Sequence, residues 1–123
     1  YHINADEEFF YQIKGDIGLK YIDSDGKFAE MTIKEGDIYL LPPKVPHSPQ
    51  RPEGSIGMVI EKKRLPEQKD GFAWYCRKCN HFLYDHYIHV SNIETQLPKV
   101  FNDYYSKEEN TTCKKCGHNN TKE

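Results

Sequence analysis

Four cysteines occur in this 123-residue chain, in two pairs of identical spacing: Cys76-Arg77-Lys78-Cys79 and Cys113-Lys114-Lys115-Cys116. Any fold the chain adopts must bring the pairs together. A Cys-x-x-Cys knuckle offers two thiolates to one tetrahedral ion, and a second knuckle completes the shell. Two disulfides in a secreted protein are the other use for four cysteines, and the close spacing argues against it. A closed thiolate shell has no free coordination position, so this site is expected to be structural; four sulfur donors suit iron and zinc alike. Thiols kept for metal imply a reducing, cytoplasmic setting. Gly117 eases the turn after the second knuckle.

Upstream of the knuckles the pattern is that of short strands. Phe9–Ile13 is the first, broken by Gly15-Asp16, and residues 17–22 and 28–33 alternate around a turn at Asp23-Ser24-Asp25-Gly26. Gly36-Asp37 leads into a strand at 38–41, and Met58–Ile60 is another. Pro42, Pro43 and Pro46 hold a stiff, extended loop before His47. Residues 63–70 are polar and aperiodic and read as a linker. This predicts a mostly β domain over 1–70 and a small lobe over 71–123. In the lobe, 84–90 reads as a strand. A short helix is expected between the knuckles, from a capping box at Ser91–Glu94 through Val100-Phe101 and Tyr104-Tyr105. The lobe is expected to have too little core of its own, and the tail from Gly117 to Glu123 to fray.

A net charge of −2 gives no global field to attract nucleic acid. No apolar run approaches the ~20 residues that span a bilayer, and there is no signal-peptide pattern. The chain opens with Tyr1 inside a motif, and the expectation is that an N-terminal segment precedes it.

His2, Glu8 and His47 are a second candidate metal site. Two imidazoles and one carboxylate are the donor set of a mononuclear non-haem Fe(II) centre with open positions for substrate and O₂. Of the adjacent acids, Glu8 is the expected ligand, since strand alternation turns Glu7 to the opposite face. The segment His2–Glu8 followed by Gly15 resembles the first cupin motif, and Gly36, Pro42 and His47 resemble the second. The fold this implies is a double-stranded β-helix, or jelly-roll barrel. Cupins often carry His-x-His at the first motif; here Asn4 holds the second position.

The strings YHINADEEFFYQIKG, KEGDIYLLPPKVPHSPQRPEGS, VIEKKR and DGFAWYCRKC resemble the 3-hydroxyanthranilate 3,4-dioxygenase family over essentially the whole chain, second knuckle included. The resemblance implies Fe²⁺ on His2, Glu8 and His47. It makes Arg51 the arginine that binds the substrate carboxylate and Glu61 the active-site acid. Both are expected to contact substrate and to act in catalysis, with Glu8 beside them. It also implies an arginine upstream of His2, a rubredoxin-like iron or zinc at the four cysteines, and a homodimer. The implied reaction is extradiol opening of 3-hydroxyanthranilate by O₂, giving 2-amino-3-carboxymuconate semialdehyde on the route from tryptophan to quinolinate and NAD. No nucleic acid or membrane takes part.

Two other readings compete. One is another Fe(II) cupin dioxygenase, for an aminophenol, catechol or thiol. The other is a non-catalytic cupin module with a zinc ribbon, for which Arg77, Lys78, Lys114 and Lys115 give modest basic density. His81, His86, His89 and His118 are spare in every reading, because four cysteines fill a tetrahedral shell.

Overall fold

The computed structural model describes residues 1–121, as two compact units, Tyr1–Gln68 and Lys69 onward. The chain is mostly β, and every strand pair with a described register is antiparallel, in keeping with a cupin-like class. The first unit holds β1 (His2–Ile3), β2 (Glu8–Lys14), β3 (Ile17–Ile22), β4 (Phe28–Ile33), β5 (Ile38–Leu41), β6 (His47–Gln50) and β7 (Ile56–Glu61).

Two sheets form from these strands. One runs β4-β3-β6-β1, the other β5-β2-β7. The β3–β4 hairpin turns where the Asp-Gly signal stands: Gly26 N–H donates to the Asp23 carbonyl and Gly26 has φ +78°. Period-two alternation then divides the side chains. Ile17 and Leu19 of β3 and Ile33 of β4 face Phe10 of β2 and Leu41 of β5 in one buried cluster, flanked by Met31, Tyr39 and Val45. The opposite face of the three-stranded sheet is also apolar, and it is open. Ile38, Leu40, Met58 and Ile60 are 65, 58, 42 and 54% exposed there.

His47 does not project from a loop, as the prolines before it suggest. It is the first residue of β6, paired with Tyr21 of β3 on one side and His2 of β1 on the other. The sequence hides this strand because Pro49 sits inside it, and proline normally argues against a strand.

The second unit holds β8 (Asp70–Tyr75), β9 (Phe82–Ile88), α1 (Ile93–Tyr105) and α2 (Glu108–Thr111). The expected strand at 84–90 lies two residues earlier, and Asp70, read as linker, is a fully buried start of β8. The rest of that stretch is tied down too: Leu65 N–H donates to Gln68 Oε1, and Gln68 Nε2 donates to Asp6. The helix cap is Asn92, not Ser91. Asn92 Oδ1 accepts from Glu94 and Thr95 N–H, and Gln96 Oε1 reaches back to the N–H groups of Ser91 and Asn92.

The lobe does build a core, and aromatics supply it. Trp74 stacks on Tyr104 at 4.4 Å and 11° and meets Phe101 edge-on at 5.6 Å. Phe72, Val90 and Val100 pack beside them. The tail is held as far as Asn120, which is 2% exposed. Its carboxamide donates to the Tyr75 carbonyl and to Tyr104 Oη. Lys122 and Glu123, where fraying was also expected, lie outside the described residues.

The face assignment can be tested. Leu19, fully buried, should cost about 2–5 kcal/mol on Leu19→Ala. Leu40→Ala, on the open face, should stay within about 0.5 kcal/mol. Urea unfolding measures both, and equal losses would reverse the assignment.

Candidate metal centres

The register builds the first site. In an antiparallel pair, residues directly opposite share a face, so His2 and His47, paired across β1 and β6, point the same way. Their rings lie 5.3 Å apart. Both face Glu8, the buried first residue of β2 on the other sheet. Glu8 Oε1 is 3.5 Å from His2 Nδ1 and 3.3 Å from His47 Nε2, and the three donor atoms lie within 4.8 Å of one another. A facial set of roughly 2.1 Å bonds needs donors about 3 Å apart, so these side chains fit one ion with a small contraction. Glu7 is exposed, as alternation requires. His47 and Glu8 are 1% and 3% exposed, and the His2 side chain 20%, so the trio opens on the His2 side.

Two neighbours prepare the donors. His47 Nδ1 lies 2.9 Å from the Val45 carbonyl and donates its proton there, which aims Nε2 at Glu8. Asn4, buried, donates from Nδ2 to Glu8 Oε1 at 3.1 Å. The residue that stands where cupins often place another histidine thus holds the candidate carboxylate ligand. Nothing in the sequence separates that role from a gap in the motif.

Burial alone would raise the Glu8 carboxyl. The hydrogen bond and charge of His47, the Asn4 amide and the charge of His2 outweigh it, and the net shift is downward. Glu8 therefore remains an anion inside the sandwich.

Glu61 lies beside this trio rather than in it, and the Arg51 guanidinium stands farther along the strands. Glu61 pairs directly with Glu8 across β2 and β7, on the same face. Its Oε2 accepts from Arg64 Nη2 at 3.1 Å. Arg64 went unnoticed in the sequence because it falls in the polar stretch after β7. Arg51 follows β6, and its Nη1 lies 3.1 Å from where a Cβ on Gly57 would stand.

The second site is the four cysteines, all free, with every Sγ within 4.8 Å of the others. Cys76 and Cys116 Sγ are 3.5 Å apart, and Cys79 and Cys113 Sγ 3.6 Å. Metal–sulfur bonds of ~2.3 Å in a tetrahedron put sulfurs about 3.8 Å apart, so the set fits one ion. The two knuckles repeat each other. Cys76 N–H donates to the His81 carbonyl at 2.7 Å and Cys113 N–H to the His118 carbonyl at 2.8 Å. Asn80 and Gly117 take the same left-handed turn, φ 65° and 78°. Lys78 and Lys115 N–H each donate to the first sulfur of their knuckle at 3.4 Å.

Burial opposes ionisation of Cys113, but the N–H groups of Cys116 and Lys115 bring its thiol down to about 6. Cys79 moves the other way. The His81 N–H pulls it down, but burial and the other three sulfurs push it up to about 12. Without a cation, these four sulfurs cannot all be thiolates at neutral pH.

Residues 1–105 match the family model described as 3-hydroxyanthranilic acid dioxygenase. The chain is 49% identical over 118 residues to a 3-hydroxyanthranilate 3,4-dioxygenase of Xanthomonas campestris pv. campestris, covering 96% of this chain and 66% of the relative. It is 47% identical to one from Paraburkholderia phytofirmans over 96% of this chain and 68% of the relative. It is 41% identical to one from Bacillus thuringiensis over 96% and 66%. The chain therefore spans about two thirds of the length of these curated relatives.

His2→Ala, Glu8→Ala and His47→Ala should each remove the ion from the trio and leave the thiolate ion bound. Asn4→Ala should weaken the trio site by about 10–100-fold, the usual effect of losing a group that orients a ligand. Metal analysis and equilibrium dialysis read both effects. Full two-ion stoichiometry in any of the first three would exclude that residue as a ligand.

Proposed function

The chain belongs to the 3-hydroxyanthranilic acid dioxygenase family, and from that premise we propose that it is the iron-binding body of an extradiol-type dioxygenase. Its substrates are 3-hydroxyanthranilate and O₂, and its product is 2-amino-3-carboxymuconate semialdehyde. The observation that carries the reading is the meeting of His2, Glu8 and His47, with Glu8 and His47 buried and His2 partly exposed. A nitrogen, nitrogen, oxygen set with room beside it suits Fe(II) better than it suits a closed structural ion. Bound there, Fe(II) supplies open positions for an aminophenol and O₂ and the redox capacity that ring opening needs.

The protein's own part is placement and proton handling. The His47 imidazole is held in orientation by the Val45 carbonyl, so its Nε2 does not turn away. Asn4 fixes Glu8, whose negative charge makes a cation welcome. Arg51 offers a planar fork to the ring's carboxylate, a contact that is bidentate and charge-assisted. Glu61 lies across from Glu8 on the same face of the sheet, close enough to the trio to be the acid that meets the substrate's hydroxyl and amine. With Arg64 holding Oε2, its Oε1 is the atom that takes and returns the substrate proton.

In this reading residues 1–70 carry the chemistry and 71–123 form a structural lobe around an iron or zinc ion. The free cysteines support a cytoplasmic setting, and no described helix is long and apolar enough to cross a membrane. The active assembly is a homodimer.

Arg51→Ala should reduce the preference for 3-hydroxyanthranilate over 2-aminophenol, which lacks the carboxylate, by about 2–3 kcal/mol, or roughly 30–150-fold in kcat/KM. Equal loss on both substrates would assign Arg51 to the fold. Replacing Cys113 and Cys116 with Ser should release the thiolate ion and lower stability. It should leave turnover per trio-bound iron in place, because the thiolate shell has no open position. Collapse of that normalised turnover, with the trio's iron retained, would rule out a purely structural lobe.

A further inference from the structure

The two strands that carry Glu8 and Glu61 continue away from the metal trio. Two residues on, Phe10 pairs with Val59; two more, Gln12 pairs with Gly57. All these pairs share the inner face. Phe10 is 3% exposed and Gln12 2%. At about 3.3 Å per residue, the Gln12–Gly57 pair stands roughly 13 Å along the strands from the Glu8–Glu61 pair.

Gly57 is the informative position. A Cβ there would lie 2.7 Å from Gln12 Oε1 and 3.1 Å from Arg51 Nη1. The missing side chain is what lets a buried carboxamide and a guanidinium end in the same small space. Arg51 comes from the end of β6, on the opposite sheet, so its side chain reaches across to β7 to arrive there. Gly57 has no positive φ that would explain a glycine by backbone conformation. Gln12 is held in turn by its Nε2, which donates to the Lys14 carbonyl at 3.0 Å and turns Oε1 towards the gap.

We propose that Gly57 and Gln12 form a seat that fixes how far the Arg51 guanidinium stands from the metal trio. They act as positioning residues for an aromatic substrate that carries an anionic group on the same ring as its metal-binding hydroxyl, two ring carbons away. The seat takes the guanidinium against the strand backbone at Gly57, with the Gln12 Oε1 acceptor facing the same gap. The inference rests on the proposed function for the identity of the ligand, but not for the seat.

The test uses the protein at its full natural length, loaded with Fe(II) and kept free of O₂. Gly57→Ala adds one methyl group against the ends of two flexible side chains, so the fold should survive it. Gln12→Met keeps the volume of Gln12 and removes its carboxamide. Two quantities are read in each variant. One is the Arg51 Nε–H resonance, assigned by its loss in Arg51→Lys. The other is the ratio of dissociation constants for 2-aminophenol and 3-hydroxyanthranilate, by calorimetry.

Both variants should move the resonance and lower the ratio by about tenfold, the order of one misplaced charge-assisted contact. Neither should lower it further in an Arg51→Ala background. An unmoved resonance overturns the seat. So does a ratio that falls equally with and without Arg51. A wild-type ratio near one overturns the proposed substrate instead, and the resonance then decides the seat alone.

Discussion

A buried carboxylate between two imidazoles organises this molecule. Glu8 is 3% exposed and held ionised, a state that costs several kcal/mol unless positive charge or hydrogen bonds offset it. The Asn4 amide and the two histidines do part of that work. A divalent ion would do the rest. The requirement dictates much of the first unit: β1 and β6 must pair so that His2 meets His47, and the two sheets must close so that Phe10 packs edge-on to His47 at 6.3 Å. The hydrophobic core beside Phe10 is thus also the wall that keeps water from the anion.

The second unit answers a similar problem with softer donors. Its knuckles bring sulfurs together by backbone geometry, and the aromatic stack of Trp74 and Tyr104 braces them. Asn120 joins the two systems. It accepts from Arg77 N–H in the first knuckle and donates to Tyr104 in the stack. Loss of the ion would therefore be felt at the helix as well as in the loops.

What was legible in the sequence was what spacing encodes. The knuckles announce themselves by their interval, the hairpin by Asp25-Gly26, and the trio by residue types that cluster only once the strands pair. Strand β6 was not legible, because Pro49 violates the local rule and only tertiary pairing with β3 overrides it. Asn4, Arg64 and Asn120 were missed for a shared reason. Each works through a hydrogen bond to a group whose position depends on the fold, and an amide or guanidinium in a polar stretch carries no periodic signal. Gly57 was missed because its meaning is an empty volume, and only neighbours from two other strands define it.

The placement of Glu61 and Gly57 has a kinetic consequence. Every residue of β7 is exposed, on both faces of the strand, whereas β2 beside it is buried at Glu8, Phe10 and Gln12. Local opening starts where few buried contacts resist it. The strand that carries Glu8 therefore belongs to the slower-opening interior. The strand that carries Glu61 and Gly57 can loosen and re-form while Glu8 stays in place. Under the proposed function, retention of the ion and entry of the substrate would be governed by parts of the sheet that differ in how often they come apart.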